Sequence, residues 1–224
     1  MKLQSVILAR SIWLFPTEDL NPQGKSLLPI LKPLIERYRF LVYPKTAEQL
    51  TGNEMKFEEG QFLGKDGNSV SISLNIYRDG FVADTRASTD DSDSFLHDLL
   101  GWLHSEQGLL QYDTMVQIRK KLYASALFVT CDQLENNLYP GLHDFMEDMS
   151  RRAPLSGGNL PVQITGLSFG YDPGNSTSEA YDFKFERAVK TPFDENRYYS
   201  WAPFPTEMHL SLLEKLEEAL SQQE

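Results

Sequence analysis

The chain has 224 residues, of which 41% are hydrophobic and 12% aromatic, so it can bury a sizeable core as one large domain or two small ones and is not composed like a disordered segment. Its formal charge of −11 argues against a general affinity for nucleic acid or anionic membrane, because phosphate binding needs clustered Lys and Arg. A single cysteine, Cys131, permits neither an internal disulfide nor a multi-thiolate zinc site and fits a reducing, cytoplasmic setting; its apolar neighbours Leu127, Phe128 and Val129 mark it as a core thiol.

In chain order, Val6 to Phe15 is predicted as a buried strand. Arg10 and Ser11 interrupt it, no small-residue cleavage site follows, and no run reaches the roughly 20 apolar residues of a membrane span. Asn21-Pro22-Gln23-Gly24 reads as a turn. Ser26 is placed to cap a helix with Leu27, Leu31, Leu34, Ile35 and Tyr38 on its inner side, harmless Pro29 in its first turn and a bend at Pro33. Arg39 to Tyr43 is predicted as a short strand and Met55 to Leu63 as another, closed by Lys65-Asp66-Gly67-Asn68.

From Ser69 to Tyr77 the apolar residues fall at every second position, the period of a strand with one buried face. Asp79-Gly80 then supplies a two-residue hairpin loop. This places Ile76 opposite Ala83 and Asn75 opposite Asp84, with Val70, Ile72, Leu74, Ile76, Phe81 and Ala83 on the apolar face. Ser71, Ser73, Asn75, Asp84 and Arg86 form the polar one. The hydroxyls and carboxylates of residues 88–93 suit a helix N-terminus. Phe95, Leu96, Leu99, Leu100, Trp102 and Leu103 make that helix's inner stripe, packed on the hairpin, and Gly108 is its stop signal.

Thr114 to Cys131 is rich in Val, Ile, Tyr, Phe and Thr and apolar on both sides from Leu122 onward, which predicts a long central strand although its spacing also suits a helix. Asp132 and Glu135 form a capping box for a helix lined by Leu134, Leu138, Leu142, Phe145, Met146 and Met149, kinked or split at Pro140. Pro154 to Pro161 reads as an exposed loop. Pro161 to Tyr171 changes parity near Gly166, which predicts a bulge. A strand with Tyr181, Phe183 and Phe185 on one side follows. Thr206 caps a last helix with Met208, Leu212, Leu213, Leu216 and Leu220 inward.

These elements predict an α+β fold of largely antiparallel strands with amphipathic helices on one face, in a single domain over 1–224. The similar order of elements also allows two related halves, 1–110 and 111–224.

No nucleophile elbow or phosphate loop is present. Asp93 with His97, and His143 with Glu147, stand one helical turn apart; such pairs supply two metal ligands where three or four are needed, so neither a metal nor a cofactor is expected. Two places carry interaction chemistry. One is the polar hairpin face with Asn75, Asp84 and Arg86. The other is the aromatic segment 195–204, where Arg197, Tyr198, Tyr199, Trp201 and Phe204 combine large area with oriented donors, the chemistry of binding hot spots. The expectation is a non-enzymatic, acidic binding or assembly protein that holds a protein partner or another copy of itself, without direct nucleic-acid or membrane contact. The alternatives are a small-substrate enzyme with Asp84, Arg86 and Arg187 or Arg197 in one pocket, and an acidic inhibitor that mimics the charge of a nucleic acid.

Overall fold

The computed structural model describes residues 1–111, 118–131, 140–152, 162–170, 172 and 182–221. Its strands are β1 (Lys2–Leu14), β2 (Glu54–Leu63), β3 (Ser69–Tyr77), β4 (Gly80–Thr85), β5 (Lys120–Thr130), β6 (Gly166–Phe169), β7 (Phe183–Arg187) and β8 (Arg197–Ala202). They lie in one sheet of order β2-β3-β4-β1-β5-β8-β7-β6. The helices are α1 (Leu28–Tyr38), α2 (Ala47–Thr51), α3 (Thr89–Ser105), α4 (His143–Arg152) and α5 (Thr206–Ser221), which makes the fold α+β. Two compact units are distinguished: a first of Val6–Ser125 with Pro203–Thr206, and a second of Met1–Ser5, Ala126–Ala202 and Glu207–Glu224.

The first unit is built on the β3-β4 hairpin. Leu74 is 0% exposed, and Ile72, Phe81 and Ala83 are buried with it in one cluster that also takes Trp13, Phe57, Leu34, Tyr38, Phe95, Leu99 and Trp102; Ile76 packs against that cluster. Every residue of the expected inner stripe of α3 is buried. That helix starts where Ser88 accepts a hydrogen bond from the Asp91 N–H, which satisfies one of the free donors of its first turn. Burial of each large side chain in such a cluster contributes about 1.5–3 kcal/mol, so the paired stripes of hairpin and helix hold this unit together.

The hairpin loop differs from the expected one. Tyr77 pairs with Gly80, and Ile76 with Phe81, so the two loop residues are Arg78 and Asp79. The register moves by two residues, and because the side-chain period of a strand is two, every residue keeps its expected face. Gly80 therefore works as a point of close approach. It pairs with Leu14 of β1, and a Cβ there would run into the Trp13 carbonyl oxygen.

Other local expectations are corrected. Ser26 does not cap α1; the preceding residue is Leu27, with no side-chain cap bond. The segment Arg39 to Tyr43 is not a strand, since Arg39 takes a left-handed conformation (φ 54°) that ends α1, Phe40 turns into the core, and only the single bridge Val42 to Glu58 forms. No bulge interrupts β6 at Gly166, whose register with β7 is continuous. The irregularity lies instead in β2, between Phe57 and Gly60, where Glu59 has φ 56°.

In the second unit, Phe185, Tyr198, Leu127, Val129 and Leu213 are all at most 1% exposed and form the interior. Most of the aromatic segment 195–204 is the strand β8, paired antiparallel with β7. In α5 the expected Leu213 is buried and Leu212, Leu216 and Leu220 are half-buried, whereas Met208 is exposed and His209 takes the buried position beside it. Of the stripe expected around α4, Met146 is buried, but Leu142 just before the helix and Phe145 and Met149 within it are exposed. The expected capping box at Asp132 and Glu135, and the loop at 154–161, lie outside the described residues.

Candidate functional site

Strand alternation divides the predicted aromatic segment in two. Tyr198, Ser200 and Ala202 point to the interior of the second unit, while Arg197, Tyr199 and Trp201 are half-buried on the other side. Two of the outward three meet Phe128 of β5: the Arg197 guanidinium lies 4.5 Å from its ring centre, and the Tyr199 ring meets it edge-on at 5.9 Å. Exposed Lys184 and Glu186 of β7 stand opposite Trp201 and Tyr199. Partial burial, followed by the nearby Glu186 charge, raises the Tyr199 pKa. Phe204 belongs to the first unit, where its carbonyl accepts from the Ser125 hydroxyl at 2.9 Å.

Tyr198 is a core residue. It is 0% exposed and stacks on Phe185 at 4.5 Å with an interplanar angle of 15°. Burial raises its pKa; neighbouring Arg187 opposes that shift and Cys131 adds to it.

The predicted polar hairpin face is an organised network. Arg10, which the sequence offered only as an interruption in a strand, stands directly opposite Asp84 in the β1-β4 ladder. Its Nε and Nη2 donate to the two carboxylate oxygens at 2.7 and 2.8 Å. Tyr77 donates to Glu54, and burial followed by that carboxylate raises the Tyr77 pKa, with Asn75 and Arg10 pulling the other way. Arg86 is exposed. Asp84 lies in the first unit and Arg187 and Arg197 in the second.

A further cluster in the first unit centres on Asp93 of α3. Trp13 Nε1 donates to one carboxylate oxygen at 2.8 Å, and the Tyr123 hydroxyl donates to the other at 3.0 Å. Lys121 Nζ is 3.6 Å from the same oxygen and 3.7 Å from the Trp13 ring centre. His97 meets the Trp13 ring edge-on at 4.5 Å. Burial and then the Lys121 charge lower the His97 pKa, while burial and then Asp93 raise that of Tyr123 to about 12. The sequence paired Asp93 with His97 alone; its partners on β1 and β5 could not be read without the sheet order. The converging donors turn Asp93 into a tie between helix and sheet.

In the second unit Ser200 and His209 resemble a nucleophile and its base, with Oγ and Nε2 2.8 Å apart. Their environment argues otherwise. Both side chains are 0% exposed, and the Ser200 hydroxyl donates to the Lys184 carbonyl at 2.8 Å, which leaves its oxygen to accept from the imidazole. Burial lowers the His209 pKa to about 4, so the ring is neutral.

Among the described residues no group of three or more His, Cys, Asp and Glu side chains converges as a metal site requires, and Glu147 of the predicted second pair is bound to Arg151 at 3.3 Å. No helix among them is long and apolar enough to cross a membrane. The chain matches no protein-family model and no curated protein sequence.

Proposed function

We propose that this is a protein-binding or assembly protein whose contact surface is the outward side of β8, with Arg197, Tyr199 and Trp201 as its anchors. The observation that carries this reading is the arrangement of Arg197 and Tyr199 around the Phe128 ring, beside exposed Lys184 and Glu186. Tyr, Trp and Arg dominate the energetics of protein interfaces, because each offers a large, amphipathic area with oriented donors. Side chains already held against a neighbouring ring lose little conformational freedom when a partner covers them. The partner is another protein or a second copy of this chain.

The experiment substitutes Trp201→Ala and Arg197→Ala and measures self-association by light scattering and partner recovery by pull-down from the native cell. Each substitution should weaken association about tenfold or more while thermal unfolding stays within a few degrees of the parent. Association that survives both substitutions in a folded protein removes this surface from consideration.

A further inference from the structure

The inward side of the same strands holds a different kind of chemistry. Arg187 is 7% exposed and Tyr198 0% exposed, and they face each other across the β7-β8 ladder. The guanidinium carbon of Arg187 lies 4.5 Å from the Phe193 ring centre and 5.1 Å from that of Tyr198. Its Nη1 donates to the Phe193 carbonyl at 2.7 Å. Among the described residues, however, neither its buried Nε nor the buried Tyr198 hydroxyl has a hydrogen-bond partner. Among the described residues no carboxylate pairs with Arg187.

A buried guanidinium without a counter-charge is unfavourable, and each donor closed off from both water and an acceptor adds to that cost. Arg10 shows in this same chain what satisfies such an edge: its Nε and Nη2 together clamp the planar carboxylate of Asp84. Arg187 has spent Nη1 on the chain itself and keeps its Nε. The Tyr198 ring packs on the guanidinium and carries a second such donor, its hydroxyl, with the Phe193 and Phe185 rings as apolar neighbours.

We infer that Arg187 and Tyr198 form a binding site for the carboxylate of a small organic monoacid. One cation and one neutral hydroxyl balance a single negative charge, whereas a phosphate dianion would carry excess charge in among three aromatic rings. The flanking rings favour a flat, apolar body on the acid. The half-buried Phe193 ring, which covers the guanidinium, is the group an entering carboxylate must turn aside.

Benzoate is the probe, with neutral benzamide and inorganic phosphate as controls, titrated calorimetrically into the full chain. Benzoate should bind saturably at one site and raise the unfolding temperature; benzamide and phosphate should do neither. Arg187→Lys keeps the charge but loses the fork and should weaken benzoate about tenfold. Tyr198→Phe should weaken it about fivefold without lowering the unfolding temperature of the free protein, since it removes a hydroxyl that has no partner. Absence of saturable benzoate binding overturns the proposal. So does binding that both substitutions leave unchanged, or phosphate binding more tightly than benzoate. None of these results depends on the outward side of β8, so the two proposals fail separately.

Discussion

Thr89 and Thr206 cap each other. The Thr206 hydroxyl oxygen accepts from the Thr89 N–H at 3.1 Å, and the Thr89 hydroxyl oxygen accepts from the Thr206 N–H at 2.9 Å. Each is the first residue of its helix, so α3 and α5 satisfy one free donor of each other although 117 positions separate them in sequence. Thr206→Val keeps the shape of the side chain and leaves the buried Thr89 N–H without an acceptor, which should cost about 1–3 kcal/mol in urea unfolding. Thr89→Val should cost a similar amount. The double variant should lose about as much as the two together, because each hydroxyl serves a different donor; a Thr206→Val protein as stable as the parent would show that the reciprocal cap is not energetically coupled to folding.

His209 makes stability fall in mild acid. Its folded pKa of about 4 lies below the ordinary imidazole value of 6.5, so between those values the unfolded chain takes up a proton that the folded one refuses. Stability from this group is complete above pH 6.5, declines as pH falls toward 4, and levels off below it, with a total change on the order of 3 kcal/mol. Urea unfolding of the parent and of His209→Gln at neutral pH and near pH 4.5 isolates the effect. The parent should lose more stability than the variant between the two conditions, and parallel losses would assign the acid sensitivity to other groups.

Asp93 and Asp84 are both carboxylates with cationic neighbours, yet their removal should differ in cost. Asp84→Ala breaks an ion pair whose two side chains are 35% and 23% exposed, and water can take over both partners, so a loss of about 1 kcal/mol or less is expected. Asp93→Ala removes the carboxylate that accepts from Trp13 Nε1, on a residue that is 0% exposed, and should cost about 2–3 kcal/mol. The Asp84 effect should shrink at high salt, while most of the Asp93 effect persists. Equal losses in the two variants would mean that the Asp93 cluster is wetter than its geometry indicates.

Which parts of this fold were readable follows from the range of the interactions. The faces of the β3-β4 hairpin survive a register error of two residues because parity alone decides them, and the α3 stripe with its Ser88 cap is a local pattern of one turn after another. Arg10 with Asp84, and Trp13 and Tyr123 with Asp93, are pairs separated by 74, 80 and 30 residues, and only the strand order brings them together. Strand β8 was hidden because it is amphipathic the unusual way round: its buried positions include Ser200 and Ala202, while Tyr199 and Trp201 face outward. In α5 only Met208 was misplaced, because a histidine, His209, occupies the core position where a polar residue is not expected.

β8 serves two masters with six residues. Its even-numbered members complete an interior and its odd-numbered members meet the outside, so the segment contains no position at which length can be adjusted quietly. Insertion or loss of a single residue within it would swap the two populations on one side of the change, sending the Trp201 indole inward or turning the Tyr198 phenol out. Change in this strand is therefore confined to substitution, one side chain at a time.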